Sequence, residues 1–220
     1  MKKTLLASLM MAVAMCASAQ NMVLADPVSN RMFSSEKYSG YEGSPFLFKD
    51  KWTPGNVTVT KGTYKNLELR LDVYSNVLFF KKDEQPYEFQ DEIVGFVLIP
   101  NVSDSSSYMY FKRGISGDGV KPQQYVQVLA EGKVGLYKSD VKQLADLNQI
   151  NQGVIKTFTT TTRYVITKDN QAQIIKPGKK EVLQVLSDKA DKVQAYIDQN
   201  KISFKKDADL AAIFKYYNSL

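Results

Sequence analysis

From Ser44 to about Ile175 apolar and polar residues alternate with a period of two. Leu67, Leu69, Leu71 and Val73 interleave with Asn66, Glu68, Arg70 and Asp72. That pattern predicts a strand with one face on a core and the other in water. Tyr74-Ser75-Asn76 predicts a turn, and Val77 to Phe80 the returning strand of a hairpin. Ile93 to Ile99 is continuously apolar and stops at Pro100, which predicts a strand buried on both faces. Tyr108–Lys112, Gln124–Ala130, Val134–Lys138, Thr157–Thr167 and Gln173–Lys176 bring the set to about ten strands. The links are short and carry turn residues, as at Glu131-Gly132 and Lys168-Asp169-Asn170. Short links predict antiparallel pairing, because a parallel pair needs a crossover of about a dozen residues. Residues 102–107 and 114–122, rich in Ser and Gly, read as exposed loops.

From Lys179 the period becomes helical. Val182, Leu183 and Leu186 share a face; Asp188 is placed to cap a second helix, with Val193 and Tyr196 or Ile197 facing inward. Asp207 is placed to cap a third, in which Leu210, Ile213, Phe214 and Tyr217 form an apolar stripe. Helices this short need a surface to dock on. The expected fold is α+β: an antiparallel sheet, curved or half-barrel, followed by two to three C-terminal helices packed on it. Residues 20–177 would be mostly β and 178–220 the helical end of one domain.

The N-terminus breaks both periods. Lys2 and Lys3 precede an uncharged run from Leu5 to Cys16, and Ala17-Ser18-Ala19 follows. A basic start, an apolar stretch and small residues before a cut make a secretory signal over residues 1–19, with cleavage before Gln20. The apolar run is shorter than the roughly 20 residues a membrane span needs. Cys16 offers a second, lipoprotein type of cut, although the residue before it is Met15 rather than a small one. The mature chain is expected in the periplasm or outside the cell.

Composition removes several chemistries. Histidine is absent and the one cysteine is Cys16, inside the signal. The mature domain therefore has no disulfide, no thiol nucleophile, no imidazole base, and no thiolate or imidazole metal site. No cofactor is expected. The formal charge of +6 falls to +4 once Lys2 and Lys3 are removed, and its sources are dispersed, which argues against nucleic acid as a partner. An outer-membrane barrel is opposed by the helical C-terminus and by charges on the strands without aromatic girdles.

Three clusters could carry chemistry. Tyr38, Tyr41, Phe46, Phe48 and Trp52 fall within fifteen residues, and of these Tyr41, Phe48 and Trp52 are the candidate ligand contacts, since aromatic faces suit sugars and apolar groups. The alternative is that Phe46 and Phe48 line the core of a first strand while Trp52 plugs one end of the sheet. Gly114 to Gly119 is glycine-rich, but no helix opens after it, so it lacks the context of a phosphate loop. Asp50, Asp72, Asp91 and Glu92 are carboxylates on or near strands, and a glycan hydrolase would need two of them facing one cleft.

Tyr41-Glu42-Gly43-Ser44-Pro45-Phe46-Leu47-Phe48, then Trp52-Thr53-Pro54-Gly55-Asn56-Val57 and Gly62-Thr63-Tyr64-Lys65-Asn66-Leu67, carry a resemblance. It continues through Lys179-Lys180, Leu183, Leu186 and Asp209-Leu210 to Tyr216-Tyr217-Asn218-Ser219-Leu220. In this order the chain resembles a family of uncharacterised small secreted proteins common in Bacteroidota. The resemblance implies export and one domain, and transfers no catalytic residue. The leading expectation is a non-enzymatic cell-envelope module that binds an apolar or carbohydrate ligand, or an envelope protein partner, on its curved sheet. For an apolar ligand held between sheet and helices it predicts a deep, mainly apolar pocket, which a filled interface there would rule out. Two alternatives stand beside it: a structural or assembly partner using an edge strand or the basic helical end, and a carboxylate-based glycan hydrolase.

Overall fold

The alternating segments become ladders. The computed structural model describes residues 21–22, 31–32, 35–49, 51–149, 153–169 and 171–220. Residues 1–19, read above as a signal and containing Cys16, lie outside the described residues, as does Asp50. The strands are β1 (Asn21–Met22), β2 (Arg31–Met32), β3 (Tyr41–Glu42), β4 (Thr53–Val59), β5 (Gly62–Asp72), β6 (Val77–Lys82) and β7 (Gln85–Glu88). They continue with β8 (Ile93–Leu98), β9 (Met109–Lys112), β10 (Val126–Ala130), β11 (Val134–Gln149), β12 (Gly153–Lys168) and β13 (Gln171–Ile175). Three helices follow: α1 (Lys179–Val185), α2 (Ala190–Gln199) and α3 (Asp207–Ser219). The strands form one open sheet in the order β13-β12-β11-β10-β9-β8-β4-β5-β6-β7-β2, antiparallel between neighbours. The two short strands off this path, β1 on β5 and β3 on β12, pair in parallel. This is the expected α+β architecture.

The hairpin read from Leu67 to Phe80 is β5–β6, with Asp72 opposite Val77 and Leu69 opposite Phe80. Leu69, Leu71, Leu78 and Phe80 enter a core over β4 to β9, completed by Phe96, Leu98 and Phe111. The Ile93–Ile99 segment differs from expectation. Ile93, Phe96 and Leu98 are buried, but Val94 is 49% exposed. Its second face is only partly covered, because the helices pack against the other end of the sheet. There Val182, Leu186, Val193, Ile197, Leu210, Ile213, Phe214 and Tyr217 close on Ala130, Val134, Leu136 and Ile166. That interface is filled with side chains, so the deep pocket expected between sheet and helices is replaced by core.

Neither expected aspartate cap forms. Asp188 lies in a 3-10 turn, Ser187–Lys189, and Lys189 precedes α2 without a side-chain cap. Asp188 instead accepts the Tyr217 hydroxyl at 2.9 Å. Asp207 is the first residue of α3, and Lys206 occupies the cap position. Its carboxylate accepts from Lys138 at 2.8 Å and from Tyr164 at 2.7 Å. In both cases a bond to a distant element, α3 for Asp188 and the sheet for Asp207, takes the place of a local bond to the helix N-terminus.

The largest departure is the β11–β12 hairpin. The segments Val134–Lys138 and Thr157–Thr167 are each one part of a strand, and sixteen residue pairs run from Val134↔Lys168 to Gln149↔Gly153. At about 3.4 Å per residue each strand is about 54 Å long. On its other side β11 meets β10 only as far as Lys138. The remainder is an arm that leaves the body of the sheet.

The segment 41–47 laces this arm back. Tyr41 and Glu42 pair with Lys156 and Thr157 of β12. A few residues later Phe46 bridges Asp72, Leu47 N–H donates to Leu71 C=O, and Val73 N–H donates to Pro45 C=O, all at the end of β5. Five strands separate β12 from β5 in the sheet order. In a flat sheet that is about 29 Å at about 4.8 Å per step. Yet the rings of Phe158 on β12 and Tyr74 just after β5 lie 5.3 Å apart. The sheet is therefore curved, and the strap 38–49 holds the curve.

Candidate functional site

The aromatic residues singled out in the sequence belong to this strap, and the structure divides them. Tyr41, 38% exposed, packs edge-on to Phe158 at 5.9 Å. Phe158 also meets Tyr38 at 5.6 Å, and Tyr38 meets Phe46 at 6.5 Å. The Arg70 guanidinium lies 3.6 Å from the Phe46 ring centre and 5.8 Å from that of Trp52. Tyr41 and Trp52 thus stand at opposite ends of one chain of contacts, whose last link to Trp52 is the Arg70 guanidinium rather than a ring. Phe48 is outside it and packs against the core of β4–β9. Phe46 is buried but makes an isolated bridge to Asp72 rather than opening a first strand.

Two charged groups fasten the strap. Asp72 is fully buried and accepts the hydroxyls of Tyr38 and Ser75 and the backbone N–H groups of Tyr74 and Ser75. A carboxylate survives burial only when its oxygens are saturated with donors, and here they are. Lys142 reaches from β11 to the carbonyl oxygens of Ser44 at 2.5 Å and Phe46 at 2.7 Å. Burial lowers its pKa below the usual lysine range, while nearby Asp72 and Asp140 pull it back up.

Beside this assembly, where β11 parts from β10, lies a cleft of about 340 Å³. One wall is the β5–β6 turn with Tyr74 and Asn76; another is the 119–125 loop with Gln124 and Tyr125; the third is β11 itself at Val141, with Arg163 behind it. Asn76 organises two of these walls: its Nδ2 donates to Gln123 C=O and its Oδ1 accepts Tyr125 N–H, both at 2.9 Å. Gln124 Nε2 ties the loop to Ser139 Oγ at 2.6 Å. Tyr74 is 40% exposed. Among the described residues, no strand pairs with β11 from Ser139 to Gln149 on this side. The cleft is bounded by a strand edge whose backbone N–H and C=O groups have no ladder partner.

Of the residues lining the cleft, only Gly119, at the end of the glycine-rich segment, belongs to a cluster singled out in the sequence; Tyr38 and Tyr41 stand behind the cleft. The available signal was the β-branched run Thr159 to Thr162, which favours an extended strand; its partners in the structure are residues 140–143. The remaining sequence candidates are structural. The 114–122 segment is not a free loop: Gly117 pairs with Val120 and Ala172, and Val120 is buried with Val126, Tyr137 and Val165. Asp91 accepts from Tyr64 at 2.7 Å and Lys61 at 3.1 Å, while Glu92 pairs with Arg113 at 3.4 Å. Tyr64 and Lys61 hold the Asp91 carboxyl below the usual range. A second, larger groove of about 700 Å³ runs between β10, the 105–106 turn and α3, bordered by Tyr108, Tyr110, Gln127, Leu129, Asp207 and Lys215.

Among the described residues no cluster of three or more acidic, histidine or cysteine side chains is placed to hold a metal, and no helix is long and apolar enough to cross a membrane. Comparison of the chain with protein-family models, curated proteins and solved structures found no match.

Proposed function

We propose that this chain is an exported cell-envelope protein that works by binding, and that it takes an extended partner segment in the cleft along the free edge of β11. The observation that carries this reading is the parting of β10 and β11 at Lys138, with β11 continuing to Gln149. An unpaired strand edge offers a row of donors and acceptors to a peptide in extended form, and side-chain pockets beside it select the sequence. The two ends of the sheet offer less: β2 has two residues and β13 five. Binding rather than catalysis is supported by the lack of histidine, by the confinement of cysteine to the signal segment, and by the commitment of Asp72 and Asp91 to structural bonds. Export rests on residues 1–19.

The test is site-specific photo-crosslinking in cells that export the full chain. A photoreactive side chain at Val141 should give a discrete protein adduct, while one at the exposed Val102 should not. No adduct at Val141, or the same adducts at both positions, would sink the reading. The groove of about 700 Å³ supports a second reading, in which the module holds an apolar or carbohydrate ligand, since its size lies within the roughly 300–1,000 Å³ of ligand sites. Native mass spectrometry of the protein from its own envelope, beside the denatured sample, tests that version by a retained mass.

A further inference from the structure

Resting on the β11 edge as the binding site, we infer that its occupant is the same edge of a second copy of this chain, in a two-fold dimer with each arm tip seated in the other's cleft. A strand that pairs antiparallel with its own copy makes an isologous contact, so its residues must be complementary to themselves read backwards. Residues 140–148 meet that condition when the axis passes through Leu144. Lys142 then stands opposite Asp146, Val141 opposite Leu147, Gln143 opposite Ala145, Asp140 opposite Asn148, and Leu144 opposite itself.

The neighbouring registers are worse. Paired residues point to the same face, so the axis must pass through a residue and register moves in steps of two along the partner. With the axis at Gln143, Asp140 faces Asp146. With the axis at Ala145, Asp146 faces Leu144 and Lys142 faces Asn148. Only the Leu144 register among these three matches both charges and apolar groups, and like charges directly opposite oppose pairing.

Three further observations fit. Leu147 is 41% exposed on an arm tip that has no reason to show an apolar side chain to water, and the register places it opposite Val141 on the cleft wall. Lys142 uses two of its three N–H donors on Ser44 and Phe46, which leaves one for the partner's carboxylate. Asp146 is 3.8 Å from Lys156, so the pairing would set one carboxylate between two lysines.

The register makes a sharp test, because a residue on the axis meets its own copy. The full exported chain carrying Cys16→Ser together with Leu144→Cys has a single thiol, and two of them would be about 4.5–5.5 Å apart at Cα, within disulfide range. A covalent dimer on a non-reducing gel is expected from that variant, and none from Cys16→Ser with Leu147→Cys, whose opposite residue is Val141. Sedimentation gives an independent arm: the unaltered chain is expected to dimerise, and Asp146→Lys, which sets lysine against lysine, to weaken the dimer at least tenfold. A monomer at about 100 µM, or no preference for the Leu144→Cys disulfide, would overturn the inference. If Val141 still gives a photo-adduct with a different protein, only the identity of the occupant is wrong; if it gives none, the binding edge falls as well.

Discussion

The hydroxyl of Tyr38 donates to the carboxylate of Asp72, 34 residues further along the chain. Ser75 and two backbone N–H groups complete the carboxylate's partners, so one buried charge joins the strap, the end of β5 and the turn after it. Asp72→Asn keeps the shape but turns an acceptor into a donor that faces other donors. Leaving such groups unpaired should cost about 1–3 kcal/mol, read as a lower urea midpoint. Hydrogen exchange should quicken at Leu47 and Val73, whose amides bond across the strap.

The same kind of pair recurs at Tyr64–Asp91, Tyr164–Asp207 and Tyr217–Asp188. Burial, and then donation to Asp91, pushes the Tyr64 phenol up to about 12. Tyr38 and Tyr164 are pushed up further, again by burial first and the aspartate bond second. A folded-state pKa above the ordinary value of about 10 means stability present below that pH and lost as pH rises through the folded values. Stability is therefore expected to begin to fall above about pH 10, read as a urea midpoint that drops with pH. In a phenolate absorbance titration of the folded protein, Tyr64→Phe should remove a component near 12 and leave the ordinary phenols unchanged. Loss from the ordinary component instead would refute the assignment.

Much of this architecture was legible in the sequence, and the failures have physical causes. Leu67 to Val73 alternates because one face of β5 meets core, and the stripe Leu210, Ile213, Phe214, Tyr217 is the buried face of α3. Periodicity reports burial, so it failed where burial does not alternate. Residues 140–148 of β11 are exposed or half-buried on both faces, and their period carries no stripe. The Asp188 and Asp207 caps failed because spacing shows local partners only, while Tyr217 and Tyr164 come from far along the chain. Of the candidate contacts, Tyr41 joins the ring cluster of the strap and Trp52 reaches it only through Arg70, while the cleft beside it is made by strands ending at different lengths. No residue pattern states that two neighbouring strands part company.

Gly117 offers a test of the docked loop. A Cβ at this position would stand 2.0 Å from Ala172 O and 2.7 Å from its carbonyl carbon, both backbone atoms that cannot rotate away. Gly117→Ala should push the 114–122 segment off β13 at a cost of about 1–3 kcal/mol, with faster exchange at Val120. Gly114→Ala is the control for space, since nothing lies within 4 Å of a Cβ there, although its φ of +90° brings backbone strain of its own. If Gly117→Ala matches the wild type in both stability and exchange, the loop is not held where the Ala172 bridge puts it.

Tyr217 separates packing from charge. Its ring is fully buried among Val134, Leu136 and the three helices, and its hydroxyl meets both oxygens of Asp188 at 2.9 Å. Tyr217→Ala empties a core site and should cost about 3–5 kcal/mol. Tyr217→Phe keeps the ring and removes only the donor. The Tyr217 bond is the largest cause holding the Asp188 carboxyl below its usual range, with Lys133 and Lys168 adding less. A depressed carboxyl contributes stability that is present above about pH 4 and lost as pH falls through the folded value. In Tyr217→Phe, carbon-detected NMR should show Asp188 titrating closer to about 3.9, and the fall of stability below about pH 4 should be shallower than in the wild type. An unmoved Asp188 would mean that the two lysines, rather than the tyrosine, hold the charge at the seam between helices and sheet.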